Sequence, residues 1–140
     1  MESDDRSGWE LYLLYWRSLK NIDLTARSLL QQATFGSPTD LVILDLLNTD
    51  GPAPVNALGQ RIFLTSGSIT SAVDRLENRG FVARRTRADD RRVVEVTLTA
   101  DGKRISEKAI KSFKEPFERI RQRLGTSNSD RLARILRDLS

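Results

Sequence analysis

The residues of this sequence best equipped for chemistry are its arginines, and their spacing decides which chemistry. From Arg84 to Arg92 the chain reads RRTRADDRR, five arginines and two aspartates in nine residues. Guanidinium groups are always charged, planar and fork-shaped. A cluster of them at a protruding tip therefore suits phosphate oxygens and a narrow minor groove rather than proton transfer. Asp90 then reads as an orienting partner, most simply of Arg92, and not as a reacting group. A second polar set lies just upstream: Ser66, Ser68, Thr70 and Ser71, with Arg75 one turn later. Short hydroxyl side chains at the start of a helix can approach base edges and phosphates closely.

The missing residue types narrow the chemistry further. The chain has no cysteine and no histidine, which rules out a disulfide or thiol switch and argues against a tight zinc site. There is no Gly-rich phosphate loop, and Ser106 with Lys108 lies on a helix with no third group to orient the pair. No catalytic residue, metal or cofactor is expected. The formal charge of +4 and a pI of about 9.8 suit a polyanionic partner, and the arginines concentrate at one tip while the first five residues are acidic.

Several elements must position these groups. Ile69, Ala72, Val73 and Leu76 recur at helical steps, so Leu64 to Gly80 reads as a helix with an apolar face, capped by Thr65 or Ser66 and stopped at Gly80. Phe81 to Ala83 and Val94 to Leu98 then read as the two strands of a hairpin with the arginines at its tip. Upstream, Ser37-Pro38-Thr39-Asp40 gives three helix-start signals, and Leu41, Leu44, Leu46 and Leu47 follow. A short helix from about Val55 to Phe63 completes the order helix, helix, turn, helix, hairpin. Gly67 keeps the entry to the third helix slim, either for close approach to DNA or for the turn itself.

Long apolar-patterned segments flank this core. Trp9 to about Gln32 reads as one helix, with both tryptophans and both tyrosines within its first eight residues. After Thr99 a helix runs to Leu124, with a kink or short break expected near 112–115 because Pro116 removes a backbone donor. Gly125 to Ser129 reads as a loop, and Asp130 to Leu139 as a last helix. These segments carry more apolar face than a small domain can cover, so a symmetric dimer is expected. The fold class is mainly α with a small β-hairpin wing. Residues 1–8 are expected to form a flexible acidic tail and 9–140 a single domain, with its DNA-binding core at 36–99 and dimerisation helices at 9–35 and 100–140. The longest unbroken apolar run, Leu11 to Trp16, is far too short for a bilayer, and a cytosolic location is expected.

The stretch Asp90-x-Arg92-x-x-x-Val96-x-Leu98-Thr99 resembles the D-x-R-x-x-x-V-x-L-T pattern of the MarR-type winged helix-turn-helix transcription regulators. The preceding LTSGSITSAVDRLENRGFV looks like their recognition helix, and is most similar to members responding to quinones and catechols. The resemblance implies a homodimeric repressor on a palindromic operator, released by a small phenolic or otherwise aromatic molecule. It places Ser66, Ser68, Thr70 and Ser71 at the major groove and Arg75 at a phosphate. It also places Arg92 in the minor groove, with Arg87 and Arg91 adding charge and Asp90 orienting. It further implies an apolar pocket where the dimer helices meet the winged domain, for which Tyr15, Trp16, Leu19, Leu41 and Leu44 are the candidate lining and Arg17 a polar handle. A DNA-binding regulator without a ligand is the alternative.

Overall fold

The computed structural model describes residues 6–33 and 35–140. Its elements are α1 (Ser7–Gln32), α2 (Pro38–Asp50), β1 (Ala53–Pro54), α3 (Val55–Arg61), α4 (Ser66–Asn78), β2 (Val82–Thr86), β3 (Val94–Leu98), α5 (Ala100–Leu124) and α6 (Thr126–Leu139). Of the acidic tail expected over 1–8, residues 1–5 lie outside the described residues, while Ser7 and Gly8 already belong to α1.

Local chemistry explains where the central helices begin and end. At α2 the Ser37 hydroxyl accepts from the Asp40 N–H at 3.2 Å and the Asp40 carboxylate accepts from the Ser37 N–H at 3.5 Å, a reciprocal capping box with Pro38 in the first turn. Thr65, not Ser66, caps α4, accepting from the Ser68 N–H at 3.3 Å. At the other end Gly80 takes φ 75°. The Gly80 N–H then reaches the Glu77 carbonyl and the Phe81 N–H the Leu76 carbonyl, both at 2.9 Å. This paired arrangement satisfies carbonyls the helix would otherwise leave open, and it turns the chain into β2.

The hairpin gains a third strand. Ala53 pairs with Val96 and Pro54 with Glu95, so the antiparallel order is β1-β3-β2. Pro54 has no N–H to donate, which confines it to the sheet edge it occupies. Two further expectations are corrected. Residues 126–129 are not a loop but the first turn of α6, which follows Gly125 directly. Of the kink or short break expected near 112–115, the break does not occur: helix α5 runs continuously through Pro116, because one lost backbone bond among residues of good helix propensity does not interrupt it.

The hydrophobic core sits inside the winged unit. Ile43, Leu44 and Leu47 of α2, Leu58 of α3, Ile69, Val73 and Leu76 of α4, Val82, Val96 and Ala109 close around Leu30 and Phe35. Each fully buried aliphatic side chain contributes about 1.5–3 kcal/mol relative to exposure. Helix α1 adds only Ala26 and Leu30 to the buried set, and α6 adds none.

Candidate nucleic-acid interface

Helix α4 presents two faces of opposite character. Ile69, Ala72, Val73 and Leu76 are all at most 1% exposed, which leaves Ser66, Ser68, Thr70, Ser71 and Arg75 on the open side. The hydroxyls are not equivalent. Thr70 donates to the Ser66 carbonyl at 2.7 Å, and Thr65 donates to the Ser68 hydroxyl at 2.9 Å. Both therefore retain lone pairs to accept with, while Ser71 has its donor uncommitted.

Arg75 is held rather than free. Its guanidinium donates to the Asp40 carboxylate at 2.8 Å, and Asp40 is only 5% exposed against 54% for Arg75. The same carboxylate that caps α2 thus fixes the azimuth of α4, and the outer half of the guanidinium remains open. Arg79 secures the C-terminal end. It lies over the Phe81 ring at 4.6 Å and the Phe35 ring at 5.8 Å, and donates to the Phe35 carbonyl. Sequence reasoning missed Arg79 because its partners are 44 residues away in the case of Phe35.

The five arginines of the hairpin divide by environment. Arg84 in the middle of β2 donates to both Asp74, at 2.6 Å, and Glu77, and the Glu77 carboxylate also accepts from the Arg84 backbone N–H at 3.1 Å. Strand and recognition helix are clamped together. Arg87 is claimed by Asp89 at 2.7 Å and Glu95 at 3.5 Å, and the Arg87 guanidinium holds the Asp89 carboxyl below the usual carboxylate range. Arg87, expected to contribute charge, thus bridges two carboxylates of its own hairpin while remaining partly exposed. Arg85 and Arg91 are exposed and form no ion pair among the described residues.

Arg92 and Asp90 form the tip. The Asp90 carboxylate accepts from the Arg92 backbone N–H at 3.0 Å and from its guanidinium at 3.2 Å. These bonds hold the Asp90 carboxyl below its ordinary range. Arg92 itself is 91% exposed. Asp90 thus aims a fully hydrated cation outward without burying it.

Two clefts border this face. One of about 610 Å³ runs between α4 and the wing, lined by Pro54, Val55, Asn56, Thr70, Arg84 and Arg92 among others. The other, about 420 Å³, is lined by Arg27, Ser37, Thr39, Ser68, Ser71 and Arg75 among others. Arg27 comes from α1, a helix whose sequence reads as a dimerisation element with candidate ligand-pocket residues but not as part of this face, and nothing in its helical spacing marks it out.

The residues expected to line a ligand pocket do not share one environment. Leu41 and Leu44 are sealed in the core at 7% and 0% exposure, whereas Tyr15, Trp16 and Leu19 stand open on α1 at 40% to 64%. Arg17 is also exposed. Among the described residues no group of three or more metal-ligating side chains occurs, and no helix is long and apolar enough to cross a membrane.

A helix-turn-helix with hydroxyls on its second helix and an arginine-tipped wing defines a winged-helix module built to face a polyanion. The family model described as MarR family matches residues 37–94. The HTH-type transcriptional regulator SarZ of Staphylococcus saprophyticus is 30% identical over 83% of this chain and 79% of its own length. The uncharacterized HTH-type transcriptional regulator YcgE of Bacillus subtilis is 49% identical over 50% of this chain, and the chain spans only 46% of YcgE. The crystal structure of NadR in complex with 4-hydroxyphenylacetate matches 92% of this chain and 91% of its own at 25% identity, with a TM-score of 0.78. The chain belongs to the MarR family.

Proposed function

We propose that the protein is a homodimeric DNA-binding transcriptional repressor that occupies a palindromic operator and is released by a small aromatic or phenolic ligand. The observation that carries the DNA reading is the wing. Arg92 is braced by Asp90 at its tip, and its strand β2 is clamped to a recognition helix with open hydroxyls. An exposed guanidinium held outward by a neighbouring carboxylate suits the negative potential of a narrow minor groove. Arg92 enters that groove, Arg91 adds charge, and Ser66, Ser68, Thr70 and Ser71 meet base edges and adjoining phosphates in the major groove. Arg75 reaches a phosphate with the half of its guanidinium that Asp40 leaves free.

Dimerisation is supported by the apolar surface outside the core. Trp9, Tyr12 and Trp16 of α1 and Leu132, Ile135, Leu136 and Leu139 of α6 are all between 43% and 67% exposed. A face of that size on a soluble chain calls for a partner, and a second copy offers the same face. Two recognition helices on a twofold axis would meet successive major grooves about one helical turn apart.

A phenolic ligand is supported by NadR, which was solved with 4-hydroxyphenylacetate, and by the aromatic cluster of α1. A regulator without a ligand is favoured by one observation: Leu41 and Leu44 are closed in the core and cannot form one wall with Tyr15, Trp16 and Leu19 within a protomer. Binding of the purified protein to a genomic-fragment pool, repeated with phenols, quinones and aromatic acids, separates the two. Selection of a palindrome that one compound abolishes supports the inducible repressor. Selection that no compound disturbs supports the other reading, and no selection removes both.

A further inference from the structure

We infer that the cleft between α1, the start of α2 and the recognition helix seats one phosphodiester of the operator strand bordering the major groove, with Arg27 of α1 as its principal cation. The inference rests on the DNA-binding reading above, and it adds α1 to the DNA-binding surface.

Arg27 follows Ala26, and burial of Ala26 and Leu30 fixes the azimuth of the last turns of α1. Arg27 is thereby set at the edge of the buried seam. There it lines the cleft of about 420 Å³ with Ser37 and Thr39 from the start of α2 and with Ser68, Ser71 and Arg75 of α4. Its Nε donates to the Asp23 carboxylate at 2.7 Å, and no other partner engages its guanidinium among the described residues. Both terminal amino groups are left to donate, on a side chain that is 59% exposed. Arg75 is arranged alike, with one amino group held by Asp40 at 2.8 Å and its other donors uncommitted. Each guanidinium is oriented by a carboxylate of its own and keeps donors for a second anion.

An ion pair one helical turn apart accounts for Asp23 and Arg27 alone. It does not account for the hydroxyls around them. The Ser37 hydroxyl accepts from the Asp40 N–H at 3.2 Å and the Ser68 hydroxyl from the Thr65 hydroxyl at 2.9 Å, so each keeps its own O–H to give. The Thr39 and Ser71 hydroxyls make no hydrogen bond among the described residues. Two guanidiniums and four hydroxyls therefore line one space with donors to spare, and the non-bridging oxygens of a phosphodiester are acceptors only. Gly67 and Ala72 line the same cleft with nothing larger than a methyl group, which leaves room for a sugar-phosphate strand. The position suits such a strand. The N-terminal residues of a recognition helix enter the major groove, and a cleft flanking Ser68 and Ser71 in the first two turns of α4 meets the backbone along its border.

Anisotropy on the DNA duplex selected by the parent, in a salt series, tests the contact. Arg27→Ala keeps high helix propensity and is expected to melt and sediment like the parent. It should bind about three- to tenfold more weakly, with a salt slope reduced by about one for each bound protomer. Arg27→Lys should retain the slope. Arg104→Ala, which removes an arginine paired with Asp101 and lining neither cleft, should match the parent. Methylphosphonate substitution, which neutralises one phosphate at a time, locates the partner: one position that weakens the parent should have no effect on Arg27→Ala. Parent-like affinity and slope in Arg27→Ala overturns the inference, and so does an equal loss in Arg104→Ala or a set of phosphates that weakens both proteins alike. A lower melting temperature or a smaller species in sedimentation would also overturn it, because Arg27 would then act through the fold or the dimer. If the parent itself selects no DNA, the functional reading fails and takes this inference with it. A parent-like Arg27→Ala beside a weakened Arg92→Ala refutes the Arg27 contact alone.

Discussion

At the scale of single residues, the wing separates cations that hold the fold from cations that face outward. Arg84 and Arg87 each bridge two carboxylates of the same chain, while Arg92 is held by Asp90 alone at 91% exposure and Arg91 forms no ion pair among the described residues. Arg92→Ala should therefore weaken binding about equally on every sequence and reduce the salt slope by about one, measured by anisotropy across a salt series. Retention of the full slope would remove Arg92 from the groove. Asp90 supplies a pH test. Its folded pKa is depressed by the Arg92 hydrogen bonds, so the brace is complete above the ordinary carboxylate value of about 3.9 and is lost as pH falls through the lower folded value. An NMR titration should place the Asp90 midpoint below that ordinary value, and Arg92→Ala should raise it. The arginine excess was legible in the sequence; its division was not. Asp74 and Arg84 lie on different elements ten positions apart, and only the packing of β2 on α4 shows that they meet.

At the scale of elements, the recognition helix and wing are tied together because Arg84 of β2 reaches two carboxylates of α4. Replacing Arg84 with Met removes both partly exposed ion pairs. Urea unfolding should show a loss of about 1 kcal/mol, the scale of solvent-screened pairs. Footprinting should show wing protection lost before that of the major groove, and a variant losing neither would leave the clamp without a role. The helices around this unit could be read from caps: Ser37 with Asp40, Thr65, and Thr99, whose hydroxyl accepts from the Gly102 N–H at 3.0 Å. Strand β1 could not, because two residues, one of them Pro54 and preceded by Pro52, carry no periodicity and pair only with β3. The start of α6 was obscured for a related reason. Thr126 to Ser129 are polar residues common in loops, and the helix forms where Gly125 turns the chain and the Ser129 N–H reaches its carbonyl at 3.0 Å.

At the scale of the whole molecule, a well-sealed winged core contrasts with long helices whose apolar faces remain open. Leu136 is 49% exposed and lies outside the core, so Leu136→Asp should leave the protomer folded while opposing association. In the proposed dimer it should sediment as a monomer and lose about 100-fold or more in affinity for a palindrome, the avidity of two linked half-site contacts. An unchanged dimer would place the interface elsewhere. The excess of apolar faces was legible from the sequence, but the position of a ligand pocket was not, since helical spacing alone cannot tell sealed residues such as Leu44 from open ones such as Leu19. The most direct test of the DNA reading is selection of genomic fragments by the purified protein, followed by footprinting and a salt series on the selected site. The expected result is an imperfect palindrome bound by two protomers, with major-groove protection about one helical turn apart and affinity falling steeply with salt. Salt-insensitive binding, or no preference among fragments, would contradict it.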